Sequence, residues 1–160
     1  MIHSTQRCII HHLSSADIPD AIQLFTNKQV RKYLGGTLTE QQAKEKLCQW
    51  ANNQDGRYYC IRCRYSNAFI GIVSVTDHHD GKYQELSYQY LPQWWEQGIA
   101  KETLHELLQY FKSSFMFADL VAETQAMNER SCKLLEKLGF SLHDTIFRFG
   151  AEQRIYRITL

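Results

Sequence analysis

Between Gln84 and Thr124 the hydrophobic pattern switches from strand to helix and back, and this stretch constrains the fold more than any other. Gln84 to Leu91 alternates as a strand and stops at Pro92, because proline cannot donate to a sheet ladder. Gly98 to about Phe111 sets Ala100, Leu104, Leu107, Leu108 and Phe111 at helical spacing. Leu120 to Thr124 is a short apolar run, the length of a buried strand. Strand, helix and strand in succession imply one parallel crossover in an otherwise antiparallel sheet.

The flanking segments supply that sheet and its covering helices. Cys8 to Leu13 reads as a first strand. Ser14 or Ser15 then caps a helix to about Phe25, with Ile18, Ala21, Ile22 and Phe25 on one stripe. Val30 to Leu34 is a short helical piece stopped by Gly35-Gly36. Thr39 with Gln42 forms a capping box for a helix to about Asn52, whose face carries Ala43, Leu47 and Trp50. Tyr58 to Arg64 and Phe69 to Thr76 are strands joined through Ser66-Asn67. Asn128 to Leu138 is a helix closed by Gly139, and Ser141 to Phe147 with Arg154 to Leu160 forms a closing antiparallel pair. The predicted order is β-α-α-β-β-β-α-β-α-β-β, an α+β fold with a mixed, mostly antiparallel sheet flanked by helices. No repeat or linker interrupts residues 1–160, which read as a single domain.

Composition narrows the function. With 18 basic and 17 acidic residues the net charge is +1, so no broad field gathers nucleic acid or an anionic membrane. No apolar run reaches the ~20 residues of a membrane span, and the start lacks a signal-peptide core, so the expected location is the cytoplasm. The five scattered cysteines, Cys8, Cys48, Cys60, Cys63 and Cys132, read as reduced thiols. Cys60 and Cys63 form a CxxC, but it lies in a strand pattern, where positions three apart face opposite ways. The doublets His11-His12 and His78-His79 meet the same objection, so no metal site is expected.

Two segments carry candidate chemistry. In Trp95-Glu96-Gln97-Gly98-Ile99-Ala100, Gly98 and Ala100 remove bulk at a helix start. The first helical N–H groups have no internal partners and lie at the positive end of the dipole, which suits a pyrophosphate; a plain glycine cap fits the same residues. In Asn128-Glu129-Arg130-Ser131, Asn128 is an N-cap and Ser131 lies one turn on, with Leu134, Leu135 and Leu138 as the buried stripe. That segment also fits a capped amphipathic helix and nothing more.

Taken together, the segments resemble the GNAT superfamily of N-acetyltransferases, most closely its ribosomal-protein N-terminal and polyamine acetyltransferase branch. The resemblance runs from Leu13–Asp17 to Tyr156–Leu160. It is carried by Glu85-Leu86-Ser87-Tyr88, by Leu91-Pro92 with Trp95 to Ala100 and Glu102, and by Asn128, Ser131 and Glu136 to Phe140. The family's phosphate loop is written Q/R-x-x-G-x-G/A; Trp95 stands at its first position, while Gly98 and Ala100 match. The resemblance implies that acetyl-CoA is the co-substrate, with its pyrophosphate on the amides of Gln97, Gly98, Ile99, Ala100 and Lys101. It implies that backbone groups from Tyr88 through Tyr90 and Leu91 pair with the pantetheine like an added strand, and that Asn128 and Ser131 belong to the same site.

The implied reaction is direct transfer of acetyl to a primary amine on a protein N-terminus, a polyamine or a small molecule. Glu85 stands at the family's base position, and strand alternation puts Glu85, Ser87 and Gln89 on one face, which either lines the cleft or faces solvent. A base is needed because the amine arrives largely protonated. Many family members place a tyrosine late in the Asn128–Gly139 helix to protonate the thiolate; Leu135 stands there instead. The resemblance implies that the serine of Asn-x-x-Ser, Ser131, takes that role, with helix capping by Ser131 and water as proton source the alternative. Leu135 also favours a second reading, a non-catalytic acyl-CoA-binding regulatory module of the same fold.

Overall fold

The structure, a computed structural model, describes residues 3–53 and 57–160. The chain runs β1 (His3–Ser4), β2 (Cys8–His12), α1 (Ile18–Thr26), α2 (Lys28–Arg31), α3 (Glu40–Ala51), β3 (Tyr58–Cys63), β4 (Phe69–Asp77), β5 (Gln84–Tyr90), α4 (Ile99–Ser113), β6 (Asp119–Gln125), α5 (Glu129–Lys137), β7 (Ser141–Arg148) and β8 (Ala151–Thr159). Short 3-10 turns stand at Ser15–Asp17 and Pro92–Trp94. The strands bond in the order β1-β2-β3-β4-β5-β6-β8-β7. Strands β2/β3, β3/β4, β6/β8 and β7/β8 pair antiparallel. The bonds His78 N–H to Tyr83 and Leu91 N–H to Ile70 give β4/β5 the same sense. Strands β5 and β6 are parallel, in register at Gln84–Leu120 and Glu85–Val121. The predicted crossover and the α+β class are therefore present.

The chain resolves into two compact units, Met1–Ser74 with Tyr88–Thr103, and Val75–Ser87 with Leu104–Leu160. In the first, α1 buries Ile18, Ala21, Leu24 and Phe25, and α3 buries Ala43 and Leu47. They join Cys60, Phe69, Ile72 and Leu91 in one apolar cluster, with Trp94 and Trp95 packed against it. The predicted capping box is present: Gln42 N–H donates to Thr39 Oγ1 at 3.1 Å, and Thr39 N–H to Gln42 Oε1 at 3.0 Å. In the second unit Leu104, Leu107, Leu108, Phe111, Leu120, Val121, Leu135 and Tyr156 are buried. Among the described residues no helix is long and apolar enough to cross a membrane.

Three local expectations change. His3–Ser4 forms an unpredicted strand against Ile9 and Ile10. The short helix runs Lys28–Arg31 and not Val30 to Leu34, because Asn27 Oδ1 accepts from the amides of Gln29 and Val30 and starts it there, and it gives way to a turn before Gly35-Gly36. A 3-10 turn also intervenes before α1, with the Ser14 N–H and hydroxyl both donating to Asp17 at 3.0 Å.

Candidate functional site

The Leu91–Lys101 segment is built in the first unit by a chain of local constraints. Pro92 opens a 3-10 turn in which the Trp94 and Trp95 amides bond back to Leu91 and Pro92. The Trp95 indole N–H donates to the Tyr90 carbonyl at 2.8 Å, folding the segment back on the strand it has left. Two residues then take left-handed backbone angles, Glu96 at φ 60° and Gly98 at φ 77°. The helical ladder starts with Glu102 N–H to the Gly98 carbonyl at 3.0 Å. The amides of Gly98, Ile99, Ala100 and Lys101 thus precede the first helical bond, at the positive end of α4. Gly98 and Lys101 are exposed, while Ile99 is buried and anchors the turn.

A residue that sequence reasoning missed braces this turn. The Arg7 guanidinium donates to Glu102 Oε2 at 2.7 Å and to the Gln97 carbonyl at 2.9 Å. Glu102 also accepts from the Thr5 hydroxyl at 2.5 Å and from the Arg7 amide at 3.0 Å. Partial burial works against the Glu102 charge, but these donors outweigh it and hold its pKa below the usual range. No local motif marks Arg7, since its partners lie about 90 residues further along the chain.

The strand edge before the turn is shaped in the same unit. The Leu91 amide is taken by Ile70, which faces it towards β4. By alternation the peptide groups of Tyr88 and Tyr90 face the other edge. Tyr90 itself is buried, its hydroxyl within 2.8 Å of Thr103 Oγ1, and burial pushes its pKa far up.

The second unit holds Glu85, Asn128 and Ser131. Glu85 Oε1 faces His78 Nδ1 at 2.5 Å, and Oε2 accepts from the Ser87 hydroxyl at 3.3 Å. Asn128 caps α5, its side chain accepting from the Ser131 amide at 3.3 Å, and Ser131 is 9% exposed. Leu135 is wholly buried, a core side chain.

The histidine doublets divide. His11 turns to Asp17 and His12 stacks on Tyr59, so that pair diverges as alternation requires. His78 and His79 do not: their ring centroids are 4.0 Å apart. Strand β4 ends at Asp77, so the alternation that should separate them no longer applies. All five cysteines are free thiols, with Cys8, Cys60 and Cys132 buried.

Residues 7–141 match the acetyltransferase (GNAT) domain family. Over 147 residues the chain is 26% identical to the uncharacterized N-acetyltransferase YoaA of Bacillus subtilis (strain 168), covering 87% of this chain and 82% of that protein. Among solved structures it superposes on RimL, a ribosomal L7/L12 alpha-N-protein acetyltransferase in complex with coenzyme A. The TM-score there is 0.84 at 17% identity, over 99% of this chain and 97% of that one. It also superposes on spermidine N-acetyltransferase from Vibrio cholerae in complex with CoA and spermine. That TM-score is 0.79 at 15% identity, over 95% of each chain.

Proposed function

Because the chain belongs to the acetyltransferase (GNAT) domain family and is thereby an acyltransferase, we propose that it moves acetyl from acetyl-CoA directly to a primary amine. The acceptor class is a protein N-terminus, a polyamine or a small-molecule amine, the first two being what the ribosomal and spermidine enzymes named above act on. The setting is cytoplasmic, in keeping with five free thiols. The observation that carries the reading is the Gly98–Lys101 turn. Its amides stand ahead of the first helical bond, and Gly98 is held left-handed beside Arg7.

In this reading the amides from Gln97 to Lys101 hold the pyrophosphate, Trp95 folds the loop back, and the Tyr88 and Tyr90 peptide groups pair with the pantetheine. Leu91 fixes the strand end through its bond to Ile70. The amine nitrogen attacks the thioester carbonyl, a backbone N–H holds the developing oxyanion, and the carbon–sulfur bond breaks. Glu85 takes the proton from the amine, directly or through water, and its bonds to His78 and Ser87 hold the carboxylate in place. Ser131 or water returns a proton to the coenzyme A thiolate. Asn128 orders the first turn of α5, where Ser131 stands.

The experiment is a panel of amine acceptors with acetyl-CoA, following free thiol release and acetylated product. Thiol and product should appear together with at least one acceptor class. The buried Leu135 favours the alternative, a regulatory module that binds acyl-CoA without turnover. Tight acetyl-CoA binding with no thiol release from any amine would establish that alternative and end the enzymatic reading of this site.

A further inference from the structure

His78, in the second unit, is a buried polar side chain with only one ring nitrogen satisfied. Its ring is 1% exposed. Nδ1 lies 2.5 Å from Glu85 Oε1, and an ionised carboxylate can only accept, so the ring hydrogen sits on Nδ1. Nε2 of the neutral ring is then a lone pair. It is buried and has no hydrogen-bond partner among the described residues. It points at two further carboxylates, with Glu123 Oε1 and Asp80 Oδ2 each 4.0 Å away. A second ring proton does not resolve this, because 4.0 Å is too long for a hydrogen bond. A lone pair facing two carboxylates across that gap is an arrangement that a bound cation would satisfy.

The gap is metal-sized. Ligand atoms each about 2.1 Å from a tetrahedral zinc stand ~3.4 Å apart, about half an ångström inside the 4.0 Å gaps seen here. His79 Nε2 completes the set at 2.9 Å from Glu123 Oε1. The donor atoms of His78, His79 and Glu123 all lie within 4.8 Å of one another. Closing a pair at that limit to tetrahedral spacing asks for up to ~1.4 Å of side-chain movement. His79 and Asp80 can supply it, their side chains being 36% and 33% exposed, and they also open the site to solvent. Glu85 on Nδ1–H is the outer partner that metal-bound histidines ordinarily have, fixing tautomer and ring angle.

We propose that His78 Nε2, His79 Nε2 and Glu123 form a binding site for a divalent transition ion of zinc type, with Asp80 Oδ2, 4.0 Å from His78 Nε2, as the nearest fourth donor. Two imidazoles with two carboxylates suit Zn²⁺ over Mg²⁺, which favours oxygen ligands in an octahedron. The other trio of donors, His11, Asp17 and Cys60, does not compete, because Asp17 is already claimed by Arg62 and the Ser14 turn. Acetyl transfer requires no metal, but the site shares Glu85 with the transferase reading, so its test reads metal binding and not turnover.

The test uses the full chain stripped with a chelator and titrated with Zn²⁺ by calorimetry, with Mg²⁺ as control. One zinc should bind per chain, and His79→Ala and Glu123→Gln should each weaken it by at least ~100-fold, beyond the loss typical of an outer partner. Glu85→Gln should weaken it by ~10-fold. Co²⁺ should bind with a spectrum free of sulfur charge-transfer absorption, which separates this site from the thiols. Where His79→Ala melts below the metal-free parent, His79→Gln is read in its place. Absence of stoichiometric zinc, binding unchanged in both ligand variants, or a sulfur signature on bound cobalt would each overturn the proposal.

Discussion

Gly98 is the residue at which the demands of the backbone and of the proposed ligand meet. Its φ of 77° costs a residue with a side chain about 1–2 kcal/mol. Space is not the obstacle, since a Cβ there would meet only Arg7 Nη2, at 3.6 Å. Gly98→Ala adds the strain alone, whereas Gly98→Glu adds strain and a carboxylate where the pyrophosphate is proposed to sit. Gly98→Glu should therefore weaken acetyl-CoA binding at least ~10-fold beyond Gly98→Ala, a difference of about 1.4 kcal/mol by calorimetry. Equal losses would assign the whole effect to the backbone. Ser131 makes the complementary case at 9% exposure on the first turn of α5. Ser131→Ala should lower kcat by ~10²–10⁴ with acetyl-CoA affinity nearly unchanged, the range of general acid help. A severalfold effect would leave water as the proton source.

At the scale of elements, α5 tests whether a cap serves structure, ligand or both. Asn128 lies outside helical geometry at φ −82° and ψ 71°, and its side chain takes the Ser131 amide. Asn128→Ala should cost about 1 kcal/mol in urea unfolding without ligand, and Asn128→Asp should restore most of it, since both acids and amides cap well. Affinity for acetyl-CoA per folded molecule should fall in the Ala variant; unchanged affinity would leave Asn128 a structural cap. Elements of this kind were legible in the sequence because their signals are local. Thr39 and Gln42, Pro92, and the helical spacing after Gly98 each act within a few residues. His3–Ser4 was not legible, because two residues carry no period and the following turn is held by Glu102 across the chain. The His78-His79 contact was hidden for a related reason: alternation predicts divergence only while the strand lasts, and β4 ends one residue earlier.

At the scale of the whole molecule, resistance to acid is expected to depend on a charge cluster that no motif announces. Asp17 is 3% exposed and is gripped by Arg62 at 2.9 Å, by His11 at 3.1 Å and by the Ser14 turn. Arg62 also reaches Asp20 at 2.9 Å and the Asn67 carbonyl at 3.0 Å. Burial alone would raise the Asp17 pKa, but the bonds from His11, Ser14 and Arg62 outweigh it and hold the carboxyl well below the usual aspartate range. A folded pKa below the unfolded one adds stability that is fully present above the unfolded value, ~3.9, and is lost as pH falls from there through the folded value. Asp17→Asn keeps the size and removes the charge, leaving Arg62 with Asp20 as its remaining carboxylate. The variant should be less stable by roughly 3 kcal/mol at neutral pH, the scale of a broken buried pair. The gap to the parent should narrow steadily below about pH 4, because the parent loses in acid what the variant already lacks. The check is urea unfolding of both proteins from pH 7 to the acid limit of folding. Curves that stay parallel down to that limit would show that Asp17 is not the group that makes this fold sensitive to acid.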